Sequence, residues 1–355
     1  MGKRLAIILG VRPHYIKAVT LRHLLSMANI DVTYLDIRQH YDNDLRGVFL
    51  SEYGLDVVEL QKSARHFQSS FEFFMDATRG VREWLAADGA DVTHLLVMGD
   101  AYPALVGALA ASCSGRRLIH LEAGIRRVGN EREHWNCALV DILSQMRFCC
   151  FPSHVSTLSN EGLGDGTVLI GDIFAPWVIY ETAVLADEVQ EDTASCLVTI
   201  HRPQNCGRAV VEGILNATRK RALRVNWIAH PRIAAERGII ESFAHTTLLC
   251  AQSHRDVLRQ IMQAGIVITD SGGLARESMI LGKRTIIVHE HGMWADAIQY
   301  GAAVKCSGTL DSVLDAIDSV LEKHDPTLGR QLFVRPGGPE QFVQSILNDI
   351  DGVGV

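Results

Sequence analysis

No pair of cysteines in this chain has C-x-x-C spacing. The 8 Cys stand at positions 113, 137, 149, 150, 196, 206, 250 and 306. That scatter argues against a zinc ribbon or a thioredoxin-like motif and suits reduced thiols in a cytosolic chain. No run of 18 apolar residues exists, so no membrane-spanning helix is expected. Basic charge is not in excess: 34 Lys and Arg face 41 Asp and Glu, a net −7. A general nucleic-acid binder would need the opposite balance. An anionic small molecule stays open as a ligand, because a few local cations suffice for it. There is no Walker A sequence. Gly162-Leu163-Gly164-Asp165-Gly166 fails the G-x-G-x-x-G spacing and precedes a strand-like run instead of following one. ATP and NAD therefore lack sequence support. Internal repeats and low-complexity tracts are also missing.

The chain has 355 residues, about two domains' worth, with 47% hydrophobic and 21% charged residues. Either half can bury a core without staples. Short apolar runs at 5–9, 94–98, 118–121, 168–170, 196–200, 226–229, 266–269 and 285–288 end in Gly, Asp, Glu or His and lead into helical patterns. Continuous apolar runs of this length suit strands buried on both faces, and their alternation with helices predicts parallel sheets. The opening MGKRLAIILGVRP reads as a buried first strand, because Gly10 and Arg12 cut the apolar run too short for a signal peptide. The runs fall before about residue 172 and after about residue 195. Residues 180–194, with the acidic stretch Asp187–Asp192, read as a solvated connection between them, a surface helix within one domain being the alternative. The expected layout is a first Rossmann-like domain at 1–172, a second at 173–335, and a tail helix at 336–355 that crosses back to the first. The fold class is α/β, with polar residues at the carboxyl ends of the strands, where ligands of open α/β sheets bind. Two such domains can face a central cleft.

Four motifs carry chemistry. Thr269-Asp270-Ser271-Gly272-Gly273-Leu274-Ala275-Arg276-Glu277 joins a strand to a helix. Its glycines permit close backbone approach, and free N–H groups at the helix start suit a phosphate. Glu277, about one and a half turns on, could take a ribose diol. A tight turn with Ser271 as helix cap gives the same pattern. Gly10-Val11-Arg12-Pro13-His14-Tyr15-Ile16-Lys17 joins another strand to a helix, and Arg12 and Lys17 could stabilise a departing diphosphate or simply be solvated. Asp100, Glu122 and Glu133 could converge at neighbouring strand ends, where carboxylates separate each other's acid and base roles. Thr199-Ile200-His201-Arg202-Pro203-Gln204-Asn205 places a His after a strand, as an acid, a phosphate partner or a structural group. His289-Glu290-His291 lacks further spaced metal ligands, and Asp42-Asn43-Asp44 reads as surface, so no metal is expected.

In this order and at these separations, the motifs resemble those of the non-hydrolysing UDP-N-acetylglucosamine 2-epimerases. The family's G-T-R-P-E-x-I-K is similar to residues 10–17, and its T-x-Q-H to Ile37-Arg38-Gln39-His40. Its H-G-D-T is similar to Met98-Gly99-Asp100-Ala101, and its H-V-E-A-G-L-R to His120-Leu121-Glu122-Ala123-Gly124-Ile125-Arg126. Its P-E-E-x-N-R is partly kept as Arg132-Glu133-His134-Trp135-Asn136-Cys137, followed by Asp141. Its T-x-H-R-x-E-N and T-D-S-G-G-x-x-E-E resemble residues 199–205 and 269–277, and its final G-D-G turn resembles Pro336-Gly337-Gly338.

The resemblance implies the two-domain glycosyltransferase-B (GT-B) architecture. It implies Asp100, Glu122 and Glu133 as catalytic carboxylates, with His201 catalytic or phosphate-facing. It implies Arg12, Lys17, Arg126, Arg202, Asn205, His230, Ser271, Gly272, Gly273 and Glu277 as the substrate and UDP site. The partner is a UDP-sugar, no organic cofactor or metal is required, and a cytoplasmic homodimer is the family expectation. The chemistry agrees: the carbon-2 proton has no adjoining carbonyl. Inversion therefore needs either oxidation of a neighbouring hydroxyl or loss of the substituent on carbon 1. With no nicotinamide site in sequence, the second route implies UDP elimination to a glycal and re-addition.

Departures accompany the likeness. His134 replaces the second Glu of P-E-E and Cys137 its Arg. The arginines of R-x-x-x-x-R-P-E fall at His289 and Trp294. Tyr41-Asp42-Asn43-Asp44 replaces R-x-M-L, in the region that helps bacterial members hold a second, activating UDP-N-acetylglucosamine. These substitutions point to a divergent epimerase of a specialised sugar pathway. The alternatives are a hydrolysing epimerase, a glycosyltransferase of the same architecture, and a non-catalytic nucleotide-sugar sensor. Arg12-Pro13, where hydrolysing members tend to carry R-A-D, favours the non-hydrolysing reading.

Overall fold

A computed structural model describes residues 3–38, 50, 54–60, 69–127, 131–250, 252–288 and 294–352. The chain divides into two compact units, Met1–Phe174 with Arg335–Val355, and Ala175–Val334.

The first unit runs β1 (Lys3–Leu9), α1 (Arg12–Met27), β2 (Ile30–Asp36), β3 (Val58–Glu59), α2 (Ser70–Ala86), β4 (His94–Met98), α3 (Tyr102–Cys113), β5 (Arg117–Leu121), α4 (Glu131–Leu143), β6 (Met146–Cys149), α5 (Pro152–Asn160) and β7 (Thr167–Leu169). Its strands form a seven-stranded sheet in the order β3-β2-β1-β4-β5-β6-β7, and every pairing is parallel. The apolar run 5–9 is fully buried, as a strand covered on both faces requires. The order reverses between β1 and β4. That is the switch point where the crossovers part to opposite sides and leave a crevice at the carboxyl ends.

The second unit runs α6 (Ala175–Leu185), β8 (Asp192–Thr199), α7 (Arg208–Lys220), β9 (Arg224–Ile228), α8 (Arg237–Ser242), β10 (Thr246–Leu249), α9 (His254–Gln263), β11 (Ala264–Thr269), α10 (Gly272–Ile280), β12 (Arg284–Val288), α11 (Ala295–Gln299), β13 (Val304–Cys306), α12 (Leu310–Lys323) and α13 (Pro326–Phe333). Its six parallel strands are ordered β10-β9-β8-β11-β12-β13, with the switch point between β8 and β11. A core of aliphatic side chains from these strands surrounds the buried Trp227.

The last helix, α14 (Gly338–Gly352), belongs to the first unit. Phe342 and Ile346 enter that unit's core, and the Phe342 ring meets Phe148 edge-on at 4.8 Å.

Residues 180–194 are not a free connection. They hold the end of α6, a short 3-10 turn (Ala186–Glu188) and the start of β8. Val178 and Leu185 are buried, and buried Glu181 accepts from Arg255 Nε at 2.9 Å. The acidic run 187–192 that looks like a linker lies in the 3-10 turn, the residues after it and the first residue of β8, next to a packed helix. Among the described residues, no helix is long and apolar enough to cross a membrane.

Candidate active site

The first cluster lies at the carboxyl ends of β4 and β5, beside the start of α1. Gly99 follows β4 with φ +68° and Glu122 follows β5 with φ +67°. A left-handed conformation at a non-glycine residue costs about 1–2 kcal/mol, and such strain concentrates at functional sites. Gly124 then turns the chain with φ +79°, and a Cβ there would lie 2.6 Å from the carbonyl oxygen of His154. Lys17 and Glu122 form an ion pair in which both side chains are largely buried. Arg127 Nε pairs with Asp100 Oδ2 and also lies 3.3 Å from Glu133 Oε2. Thus Asp100 and Glu133 meet through one guanidinium. Glu122 stands beside Gly99, since a Cβ at Gly99 would lie 3.2 Å from Glu122 Oε2.

Beneath this cluster lies the buried Asp141 carboxylate. It pairs with His120 Nδ1 at 2.7 Å, Arg126 Nη1 at 2.7 Å and the Gly124 N–H at 3.2 Å, with Cys137 Sγ at 3.7 Å. Burial alone would raise this carboxyl, but His120 and Arg126 outweigh it and hold it below the usual range. His120 Nε2 meets the Gly99 carbonyl at 2.9 Å. The buried hub therefore ties the Gly99 and Gly124 turns to α4. Donor atoms of His120, Cys137 and Asp141 lie within 4.8 Å of one another, as metal ligands would. Here they are committed to each other and to Arg126, which makes them an organiser of the turns.

His14 is buried in the first turn of α1. Burial, helped by the neighbouring Lys17 charge, pushes its pKa down to about 3.

The second cluster lies at the carboxyl ends of β8, β9 and β11. The buried Asp270 carboxylate accepts the backbone N–H groups of His201 and Arg202 at 2.9 and 2.8 Å, and Asn205 Nδ2 at 3.1 Å. His201 Nδ1 lies 2.9 Å from Asp270 Oδ1. Burial works against the charged form, yet these donors hold the Asp270 carboxyl below its ordinary value. Arg202 Nε donates to the Asp270 carbonyl at 2.9 Å. The His230 ring stands 5.5 Å from that of His201. Ser271 is the N-cap of α10, its Oγ accepting from the Leu274 N–H at 3.4 Å. A Cβ at Gly273 would meet nothing within 4 Å, so open space lies over the helix start. Glu277 is buried, its Oε1 3.0 Å from His254 Nε2.

The structure brings Lys17 together with Glu122, Asp100 with Glu133, and His201 with Arg202, Asn205, His230 and the Ser271–Gly273 turn. Arg126 is committed to Asp141 and Glu161. Arg12 opens α1, and its side chain lies outside the described residues, as do the motif residues at 39–44 and 289–293. Sequence reasoning overlooked Arg127, His120, Asp270 as an anchor, and His254. The doubled Arg126-Arg127 after a strand end was the one available signal.

A sequence model of the UDP-N-acetylglucosamine 2-epimerase family matches residues 23–347. The chain belongs to this family. The UDP-2,3-diacetamido-2,3-dideoxy-D-glucuronate 2-epimerase of Pseudomonas aeruginosa is 24% identical over 331 residues, 89% of this chain and 92% of that protein. The UDP-N-acetylglucosamine 2-epimerase of Methanococcus maripaludis is 23% identical over 346 residues, 90% of this chain and 92% of its own length. Among solved structures, the Methanocaldococcus jannaschii UDP-GlcNAc 2-epimerase, in complex with UDP-GlcNAc and UDP, shares the fold with a TM-score of 0.83. That match is 21% identical and covers 97% of this chain and 99% of the other. Within the epimerase family, the two polar strand-end clusters of this chain occupy the switch points of their sheets.

Proposed function

We propose that this protein reversibly inverts carbon 2 of a UDP-2-acetamido sugar, UDP-N-acetylglucosamine to UDP-N-acetylmannosamine being the reference reaction. Its units supply the two halves of that chemistry. The second unit offers the Ser271-Gly272-Gly273 helix start, His201, Arg202, Asn205 and His230 to the diphosphate, and Glu277 to the ribose. The first offers Asp100, Glu122 and Glu133 for proton transfer at carbon 2, with Arg12 and Lys17 as cations for the leaving group.

In the forward direction a carboxylate takes the carbon-2 proton, and that C–H pair becomes the C1=C2 double bond. The bond from carbon 1 to the β-phosphate oxygen breaks, and its electron pair leaves with UDP. Re-addition of UDP to carbon 1, with protonation of carbon 2 on the opposite face, completes the inversion. Cations and helix N–H groups stabilise the developing phosphate charge. The observation that carries this reading is a set of three carboxylates, Asp100 and Glu122 at adjacent strand ends and Glu133 in the first turn of α4, each in contact with a cation. The same reading includes a cytoplasmic homodimer in a specialised sugar pathway, with no nucleic-acid partner.

The test is incubation with UDP-N-acetylglucosamine in deuterated water, followed by NMR. Deuterium at carbon 2 and UDP-N-acetylmannosamine are expected. Free N-acetylmannosamine with UDP instead would establish a hydrolysing epimerase. Transfer to an acceptor without carbon-2 exchange would establish a glycosyltransferase.

A further inference from the structure

Arg127 follows the Glu122–Arg126 motif and belongs to none of the residues that the family resemblance singles out. Its Nε touches Asp100 Oδ2 and lies 3.3 Å from Glu133 Oε2. We propose that Arg127 is a positioning residue for the carbon-2 chemistry, joining Asp100 from the β4 end and Glu133 from α4 into one fixed unit. This rests on the functional reading above, which makes those two carboxylates catalytic.

The geometry gives the reason. Two oxygens in contact with one nitrogen stand at most about 6 Å apart, a range in which like charges strongly disfavour each other unless a cation intervenes. Among the described residues, three nearby cations have other partners. Lys17 pairs with Glu122, Arg126 pairs with Asp141 and Glu161, and Arg132 lies over the Tyr102 ring at 5.5 Å. The departure at Cys137 fits the same picture. Where the P-E-E-x-N-R motif has a guanidinium on α4, this chain has a buried thiol whose pKa burial raises well above the ordinary value. A neutral thiol brings no cation to that corner, whereas Arg127 brings one from the segment that follows β5. Asp100 is anchored independently through its carbonyl, which accepts from Asn136 Nδ2 at 3.0 Å. Loss of Arg127 should therefore free the carboxylates without releasing the backbone turn.

The experiment compares Arg127→Met and Arg127→Lys in the full-length protein by three readouts. Steady-state epimerisation across pH should show kcat down about 100-fold in Arg127→Met. Its KM should stay within about threefold of wild type, because the loss falls on the alignment of the two carboxylates and not on nucleotide binding. Arg127→Lys should recover much of the rate, and UDP affinity should be unchanged in both. In a double-mutant cycle on urea midpoints, Asp100→Asn should shift the midpoint less in the Arg127→Met background than in wild type. A kcat of Arg127→Met within threefold of wild type overturns the proposal, and so does strict additivity in the cycle. Equal impairment of both variants, with UDP affinity falling alongside kcat, also overturns it, since that marks a merely structural side chain. Absence of carbon-2 exchange by the wild type on a panel of UDP-2-acetamido sugars instead overturns the functional reading. The cycle, which needs no turnover, then decides separately whether Arg127 and Asp100 are coupled.

Discussion

His201 Nδ1 lies 2.9 Å from Oδ1 of Asp270, and the same carboxylate accepts the backbone N–H of His201 at 2.9 Å. Ring and backbone of one histidine are thus fixed by one side chain from the neighbouring strand end. The arrangement leaves Nε2 as the ring atom available to a ligand. Asp270 also accepts from Arg202 and Asn205, so its two oxygens have donors on every side.

Asp270→Asn replaces one of those acceptor oxygens with an NH2 group that faces donors. A buried unsatisfied donor costs about 1–3 kcal/mol, more where a charge-assisted bond is lost. The variant is expected to lose about 2–4 kcal/mol of stability in urea denaturation. It should also bind UDP at least tenfold more weakly by calorimetry. An unchanged UDP affinity would separate the anchor from the nucleotide site.

Gly124→Ala is expected to damage the first cluster through the backbone alone. The site has φ +79°, and the added Cβ would approach the His154 carbonyl oxygen to 2.6 Å. Left-handed strain and the clash together should cost about 2–4 kcal/mol. Activity should fall with it, because Glu122 sits in the same turn. A urea midpoint within error of wild type would contradict this account.

The fold was legible because buried parallel strands announce themselves as apolar runs ending in polar punctuation. The runs at 5–9, 94–98 and 266–269 coincide with strands on either side of the switch points. Strands β2, β3, β6, β10 and β13 escaped, being short, polar or half-exposed, as Ile30–Asp36 and Thr246–Leu249 are. At the site, residue types that adjoin glycine turns were readable. Partners were not. Arg127, Asp141 and His254 act through contacts that reach 15 to 27 residues along the chain, and single-sequence periodicity carries no such information. The stretch 180–194 is ambiguous for a related reason: its acidic residues mark solvent exposure, which a linker shares with a short turn between a packed helix and a strand.

His14 predicts a pH dependence of stability. Its pKa in the folded chain is pushed down to about 3, first by burial and then by Lys17, against an ordinary value of 6.5. Below about pH 6.5 the unfolded chain takes up a proton that the folded chain refuses, so the native state binds fewer protons and stability falls as pH falls. The loss grows through the window from about pH 6.5 down to about 3 and amounts to a few kcal/mol in total. Urea midpoints measured from pH 7.5 to pH 4.5 should decline, and His14→Gln should flatten that decline. An identical slope in the variant would assign the effect to other groups.

The tail helix is fastened by Asp349. Its carboxylate accepts Arg117 Nε at 2.7 Å and Nη2 at 2.6 Å, and pairs with the buried His94 Nε2 at 2.9 Å. Burial would raise this carboxyl, but Arg117 and His94 outweigh it and set it below the usual range. Its stabilising contribution is therefore complete above the ordinary carboxylate pKa and is lost as pH falls through the lower folded value. Asp349→Asn should cost about 1–3 kcal/mol at neutral pH. The gap in urea midpoint between wild type and variant should hold from pH 8 to about 5 and narrow below about pH 4. Hydrogen exchange should localise the change to Gly338–Gly352 and the edges of β4 and β5, since Phe342 and Ile346 keep the rest of the helix seated in the core. Faster exchange spread evenly over the whole first unit would mean that the tail helix unfolds only together with the sheet.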